Sequence, residues 1–136
     1  MNGRAFFDSN ICIYCFDTDP GRQARALQLV SAGGVISPQV VQETCSVFLR
    51  KRGLLPDQVA RIVRRLGEYC EVADVSLTTS LYALELMASV KLSWWDALVV
   101  AAALEAGCTT LWSEDMQHGL VVQDLMIIRN PFADHV

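Results

Sequence analysis

The chain has 136 residues, a length that suits one ordinary domain, so we expect a single domain over residues 1–136. A hydrophobic content of 52% with 19% charged residues provides for a well-formed core and argues against a disordered chain. The net charge of −4 argues against a nucleic-acid binder coated in lysine. No apolar run approaches the roughly 18 residues of a membrane span, and no secretory leader pattern is visible. We therefore expect a cytoplasmic protein without a membrane partner.

The five cysteines are an odd number in a chain without an export signal, which favours reduced thiols over a disulfide framework. Cys12 and Cys15 form a C-x-x-C pair, but no second pair accompanies it, so the zinc or redox signal is weak. We expect both to be small buried hydrophobic residues.

Short apolar strands alternate with helices in the first half of the chain. A strand over "RAFF" ends at Asp8, and a helix is predicted over "SNICIYCF". The segment "RQARALQLVSAGG" predicts a helix closed by glycines, and "GVIS" predicts a second strand. Pro38 then suits the first turn of a helix that continues to Arg52 with one apolar face.

The second half repeats this alternation. The segment "PDQVARIVRRLGEYC" predicts an amphipathic helix, "CEVADV" a third strand and "LTTSLYALELMASVKL" another helix. The segment "SWWDALVVAAALEAG" is apolar almost all round, which predicts a buried helix, and "TTLWS" and "LMIIRN" add two strands. The alternation implies parallel pairing with right-handed crossovers, so the fold class is a three-layer α/β/α sandwich with a mostly parallel central sheet.

Acidic residues stand at the places where such a sheet forms its sites, outside the carboxyl ends of the strands. Asp8 follows the first strand directly, and Asp115 closely follows "TTLW". Glu43 and Asp96 stand on the helices that begin near Pro38 and Ser93.

Helix capping is the alternative explanation for each acid taken singly. Asp8 could cap the helix after it, and Ser93 with Asp96 could form a capping box. Ser113 could be an N-cap with Glu114 and Asp115 in its first turn. Capping does not explain a charge at position 96 of a helix otherwise built for burial, nor Glu43 beyond the first turn.

If these carboxylates converge, their mutual repulsion would raise their pKa values unless a cation lies among them. Hard oxygen ligands without histidine or thiolate favour Mg²⁺ or Mn²⁺ over zinc. Such a cluster can activate water and clamp the oxygens of a phosphodiester, which is nuclease chemistry.

Four motifs in order resemble those of the PIN-domain ribonucleases, most closely the VapC-type toxins of bacterial toxin–antitoxin pairs. They are "FFDSNICIY", "SPQVVQE", "SWWDALVVAAA" and "LWSEDMQHG", and "RNPF" near the C-terminus is similar to the tail of one branch. The resemblance covers nearly the whole length and implies a single PIN-like nuclease domain that hydrolyses RNA. It also implies a small antitoxin that covers the active site, and a homodimer.

The resemblance assigns roles to residues of this chain. Its catalytic, metal-binding carboxylates would be Asp8, Glu43, Asp96 and Asp115, with Mg²⁺ or Mn²⁺ as the cofactor. Ser113 would order the cluster or a bound water. Glu114 would either join the metal shell or only favour the start of a helix.

Basic residues concentrate between positions 50 and 65, where six of the eleven lie. They could follow an RNA backbone towards the acidic centre, or form a solvated helix face. The six are Arg50, Lys51, Arg52, Arg61, Arg64 and Arg65. Trp94, Leu54 and Leu55 are apolar residues that could be exposed to a partner.

Two other functions compete with a metal-dependent endoribonuclease. A non-catalytic PIN-like module would hold RNA or protein without cleaving it. A phosphatase of the haloacid-dehalogenase type would use Asp8 as a nucleophile, but that chemistry needs a second aspartate two residues on, where this chain has Asn10.

Overall fold

Six β-strands lie within residues 3–133, the part of the chain that the computed structural model describes. They are β1 (Arg4–Phe7), β2 (Gly34–Ile36), β3 (Cys70–Val72), β4 (Cys108–Trp112), β5 (Val121–Val122) and β6 (Met126–Arg129). The strands form one sheet in the order β3-β2-β1-β4-β6-β5. All neighbours pair in parallel except β5, which runs antiparallel to β6.

Six α-helices connect these strands. They are α1 (Ser9–Tyr14), α2 (Pro20–Ser31), α3 (Pro38–Ser46), α4 (Pro56–Tyr69), α5 (Leu77–Ser89) and α6 (Trp94–Glu105). Pro20, Pro38 and Pro56 each occupy a first helical position, where the missing N–H costs no intrahelical hydrogen bond. The α/β sandwich with a mostly parallel sheet, predicted from the alternation of strands and helices, is confirmed.

Two local details differ from the sequence prediction. The helix that begins at Pro38 ends as an α-helix at Ser46 and continues as a π-helical turn over Val47–Lys51. Strand β5 was not predicted, because two residues are too few to show an alternation of apolar and polar positions. Its pairing with β6 comes from the turn between the two strands.

The core lies on both faces of the inner strands. Phe6, Ile36 and Leu111 are fully buried, and α6 buries nearly its whole middle section, as its apolar sequence predicts. Gly34 permits a close approach at this point, because an added Cβ would lie 2.5 Å from Cε2 of Phe7. A side chain larger than hydrogen would therefore displace the Phe7 ring from the core.

Cys12 and Cys15 both belong to the core, as predicted. Burial raises the pKa of the Cys15 thiol to about 12 and raises that of Cys12 as well. Both thiols are therefore protonated at neutral pH, which opposes a metal or redox role.

The strand order places a topological switch point between β1 and β4. From β1 the chain builds β2 and β3 on one side of the sheet and then returns to add β4 on the other. In parallel sheets the crevice outside the carboxyl ends of such strands is the usual ligand site. Phe7 and Trp112 are register partners, so the residues that follow them, Asp8 and Ser113, emerge side by side.

No single helix within residues 3–133 has the length and apolar character that a membrane span needs. The pair α5 and α6 meets those criteria only when taken together, and the two helices are bent by 115° at the break between them.

Candidate active site

Asp8 lies at the carboxyl end of β1 and is 5% exposed. Its backbone N–H donates to the carbonyl oxygen of Trp112 at 3.0 Å, which continues the β1–β4 pairing by one residue. Its Oδ1 accepts from the N–H of Ser9 at 2.8 Å, so Asp8 is the N-cap of α1. Its Oδ2 accepts from the hydroxyl of Ser113 at 2.8 Å. Asp8 therefore caps α1 through one carboxylate oxygen. Its second oxygen lies in the crevice at the ends of β1 and β4, called the switch-point crevice below.

Ser113 links the ends of β1 and β4. It is fully buried, and its Oγ also accepts from the N–H of Asp115 at 3.2 Å. Ser113 is not a helix N-cap, because bends and turns rather than a helix follow it. The capping alternative does not apply here, since the hydroxyl donates to Asp8 and accepts from the N–H of Asp115.

Asn10 joins the two strand-end carboxylates across the crevice. Its Nδ2 donates to Asp115 Oδ2 at 3.1 Å and to Asp8 Oδ2 at 3.4 Å. Its Oδ1 accepts from the N–H of Glu114 at 3.0 Å. Sequence reasoning considered Asn10 only as a missing aspartate, so this bridging role was missed. The signal was available in "FFDSN", since an amide on the first turn of α1 faces the capping carboxylate.

Glu43 and Asp96 approach the same crevice from helices. Both carboxylates are half-buried. Ser93 caps α6 by accepting from the N–H of Asp96 at 3.1 Å, which confirms that cap. Gln39 Nε2 donates to the carbonyl oxygen of Trp95 at 3.3 Å, which ties the first turns of α3 and α6 together.

Burial and the charges of neighbouring acids raise the pKa values of Asp8, Glu43 and Asp96. Burial is the largest cause that raises the pKa of Asp8, and the charges of Asp96 and Asp115 raise it further against the hydrogen bonds from Ser113 and Ser9. Burial and then the charge of Asp8 raise the pKa of Glu43, with smaller effects from Asp96 and Asp115.

Burial also raises the pKa of Asp96, and the charge of Asp115 adds to the effect. The fold thus gathers negative charge in one partly dry crevice, as the convergence argument predicts.

The donor set has the chemistry of a hard divalent cation, since it consists of carboxylate oxygens without histidine or thiolate. Within residues 3–133, however, no group of three or more His, Cys, Asp or Glu side chains is arranged to hold a metal ion. In the chemistry of their oxygen atoms and in their net charge, the residues fit Mg²⁺ or Mn²⁺.

Glu114 is directed away from Asp8. Its carboxylate forms an ion pair with Arg22 and accepts a hydrogen bond from the Tyr14 hydroxyl at 2.7 Å. The Arg22 guanidinium also lies over the rings of Tyr14 and Phe132, at 5.1 and 4.7 Å from their centroids. Tyr14 and Phe132 contact each other edge to face at 5.0 Å. This cluster attaches the C-terminal "RNPF" segment to α1 and α2, and sequence reasoning did not predict it.

The six basic residues do not share one environment. Lys51 and Arg52 line a cavity of about 280 Å³ together with Asn10, so they lie next to the carboxylate crevice, and Arg52 forms an ion pair there with Asp17 at 3.3 Å. Arg61 and Arg65 form ion pairs within α4, with Asp57 and Glu68 respectively. The others are exposed Arg50 and exposed Arg64, which lines a separate apolar cavity.

The exposed apolar residue next to the site is Trp95, which is 62% exposed. Trp94 is half-buried against the core, so its expected exposure was wrong, because the α6 helix turns position 94 towards the core and position 95 outward. Leu54 is also half-buried, whereas Leu55 is exposed as expected.

The family model described as PIN domain matches residues 5–120. No curated protein sequence matches the chain significantly.

Solved structures similar to the fold include a toxin–antitoxin complex from Klebsiella pneumoniae, with a TM-score of 0.72 and 20% identity over 94% of this chain and 98% of that one. VapBC2 from Rickettsia felis, bound to a DNA fragment from its promoter, has a TM-score of 0.68 and 19% identity over 93% and 97%. VapC20 from Mycobacterium tuberculosis, a toxin that cleaves the sarcin–ricin loop, has a TM-score of 0.64 and 19% identity over 79% and 86%.

The family model extends over all four motifs, from the strand before Asp8 to the loop that contains Ser113 and Asp115. On this evidence the chain belongs to the PIN domain family.

Proposed function

We propose that the protein is a divalent-metal-dependent endoribonuclease and the toxin of a type II toxin–antitoxin pair. The observation that carries the proposal is the gathering of Asp8, Glu43, Asp96 and Asp115 from four separate elements in the switch-point crevice. The pKa values of the first three are raised by burial and, to a smaller extent, by the charges of other acids in this group. A fold that accepts this repulsion is suited to a cation, which would remove it on binding.

In this proposal Asp8, Glu43, Asp96 and Asp115 are the metal-binding catalytic residues. A bound Mg²⁺ or Mn²⁺ would supply an activated water and would neutralise charge on the scissile phosphate. Ser113 fixes the rotamer of Asp8 by its hydrogen bond, and Asn10 sets the separation between Asp8 and Asp115. Glu114 does not join the metal shell, because Arg22 and Tyr14 hold its carboxylate elsewhere.

The crevice also has a route for RNA in this proposal. Lys51 and Arg52 line the cavity beside Asn10, and their charge offsets the carboxylates where a phosphate backbone would pass. Arg50 and Arg64 would add long-range attraction, whereas Arg61 and Arg65 pair with acids on their own helix.

We propose a protein antitoxin as one partner, because the Klebsiella, Rickettsia and other similar folds are parts of toxin–antitoxin complexes. We also propose a homodimer. Support for a protein-binding surface comes from α5, where Leu77, Leu81 and Leu84 are each more than half exposed and stand at helical spacing.

The direct test is cleavage of structured RNA by the purified protein in EDTA, Mg²⁺ or Mn²⁺. We expect cleavage only with a divalent ion, and its loss in Asp8→Asn and Asp96→Asn. Asp57→Asn is the control, because Asp57 is an exposed acid on α4 that pairs with Arg61. Metal-independent cleavage, or full activity in both site variants, would overturn the proposal.

A non-catalytic PIN-like module is the second candidate. It is favoured by the finding that no metal-holding group is already assembled among residues 3–133. Calorimetric titration separates the two candidates, since the nuclease should bind Mn²⁺ at or below millimolar concentration and Asp8→Asn should not. No heat of binding in the wild type would support the module.

A further inference from the structure

We infer that Trp95, with Gln39 and Gln42, forms a stacking subsite for one unpaired nucleobase of the RNA substrate, next to the scissile phosphate. This inference rests on the proposed nuclease function and names a substrate contact within it.

The exposure of Trp95 is the first observation. A tryptophan that is 62% exposed leaves a large apolar face in water on a helix whose other apolar residues are mostly buried. Capping does not require it, because Ser93 caps α6 through the backbone of Asp96. The indole is thus available to a ligand.

Two cavities that Trp95 lines are the second observation. One of about 300 Å³ is lined by Gln39, Gln42, Glu43, Ser46 and Trp95. The other, of about 280 Å³, lies between α3, α5 and α6 and also includes Gln39, Gln42 and Trp95 in its lining. A flat ring system could therefore lie against the indole.

The position relative to the carboxylates is the third observation. Glu43 lines the first cavity, and Asp96 follows Trp95 directly in the chain. The hydrogen bond from Gln39 Nε2 to the Trp95 carbonyl oxygen fixes this wall of the crevice. A base placed here belongs to a nucleotide whose phosphate reaches the carboxylates.

The lining chemistry favours a base over a protein side chain. Stacking on an aromatic ring accepts any base, and the Gln42 amide can donate to and accept from a base edge. The α5 stripe of Leu77, Leu81 and Leu84 has the more apolar character expected of a protein contact. Lys51 and Arg52 lie in the cavity beside Asn10, so base and backbone contacts would have separate places.

Binding is tested in the Asp8→Asn protein, so that no cleavage interferes. The probes are an oligomer of eight adenylates and an abasic ribose-phosphate oligomer of equal length and charge. We expect Trp95→Ala to weaken binding of the adenylate oligomer roughly 10-fold and to leave the abasic oligomer unchanged. Trp95→Phe should recover part of the loss, and Leu125→Ala is the control, since Leu125 is 61% exposed in the turn before β6.

Equal weakening with both oligomers, or no change with either, would overturn the subsite. So would sedimentation showing that Trp95→Ala breaks a dimer, because a second copy of the chain would then cover the indole. In the active protein, Trp95→Ala should raise KM more than it lowers kcat. Loss of cleavage in Asp8→Asn with unchanged kinetics in Trp95→Ala would reject the subsite alone, whereas base-dependent binding without any metal-dependent cleavage would reject the nuclease alone.

Discussion

The hydroxyl of Ser113 donates a 2.8 Å hydrogen bond to Oδ2 of Asp8, and both groups are buried. The parallel register of β1 and β4 creates this contact, because Phe7 and Trp112 are paired and the chain leaves both strands at the same level. The buried Asp8 carboxylate is thereby held in one orientation, although the charges of Asp96 and Asp115 repel it. This combination of fixed geometry and unrelieved charge determines how the site responds to pH, to metal and to substitution.

Asp8→Asn should be at least as stable as the wild type at pH 7 in EDTA. Asparagine still serves as an N-cap for α1, and it removes one charge from the crevice. Asp8→Ala should be less stable than Asp8→Asn by about 1 kcal/mol, because it loses the cap. Thermal unfolding of the three proteins measures this order, and a marked loss of stability in Asp8→Asn would show that Asp8 is structural first.

The metal-free protein should become more stable as the pH falls from 7 towards 5. The folded state raises the pKa values of Asp8, Glu43 and Asp96 above their unfolded values near 4, so it binds protons more readily than the unfolded chain. The stabilisation that these three carboxyl groups give to the folded state is fully present below the unfolded pKa. It is lost as the pH rises through the folded pKa. Melting temperatures across this range in EDTA measure the effect.

The pH dependence has its own control in Asp8→Asn. Its slope should be shallower than that of the wild type, and the two curves should approach each other near pH 4. Added Mn²⁺ at pH 7 should raise the melting temperature of the wild type and leave that of the variant almost unchanged. Parallel pH curves for the two proteins would contradict the assigned repulsion.

Asn10→Asp should destabilise the metal-free protein at pH 7 more than Asn10→Ala does. The aspartate keeps the shape but replaces the donor that contacts Asp115 Oδ2 at 3.1 Å with a further negative oxygen. The difference should shrink at pH 5, and chemical denaturation at both pH values measures it. If the alanine variant is the less stable of the two at pH 7, the shape of the side chain at position 10, rather than its charge, determines the stability.

The Arg22–Glu114 pair should show a coupling free energy of about 1 kcal/mol in a double-mutant cycle of alanine variants. The Glu114 side chain is only 24% exposed, and its carboxylate also accepts a hydrogen bond from the Tyr14 hydroxyl. Arg61 and Asp57 are the matched control, since they are 70% and 74% exposed and form an i,i+4 pair worth about 0.3–0.5 kcal/mol. Urea unfolding gives both values, and equal coupling in the two pairs would refute a structural role for Glu114.

Lys51→Ala and Arg52→Ala should each weaken RNA binding. Each should also reduce the slope of log K against log salt concentration by about 0.7, the value for one phosphate contact on a single strand. Arg61→Ala and Arg65→Ala should leave both quantities nearly unchanged, because these two arginines lie exposed on α4 and do not line the cavity beside Asn10. Binding is measured in the Asp8→Asn background over a series of salt concentrations. Equal losses of RNA affinity in all four variants would indicate general electrostatic attraction rather than a defined RNA path beside Asn10.

The amino-acid sequence determined the elements and the fold class. Apolar runs bounded by glycine and proline marked the parallel strands and every α-helix, because burial and backbone sterics act on consecutive residues. The same patterns identified the four acids as residues in unusual places, each following a strand or interrupting an apolar helix face. The pattern after "TTLW" left open whether Ser113 caps a helix, because its hydroxyl bonds to a residue 105 positions away, which local pattern does not show.

The tertiary structure alone decided which of these groups meet. The switch point between β1 and β4 brings Asp8 beside Ser113, and Asn10 becomes a bridge only when the β4 loop lies across α1. Glu114 and Asp115 are neighbours in the chain, yet one pairs with Arg22 and the other faces the crevice. Exposure of Trp95 rather than Trp94 follows from the packing of α6. These outcomes depend on contacts between segments that are distant in the chain. Strand order and register determine which of those contacts form.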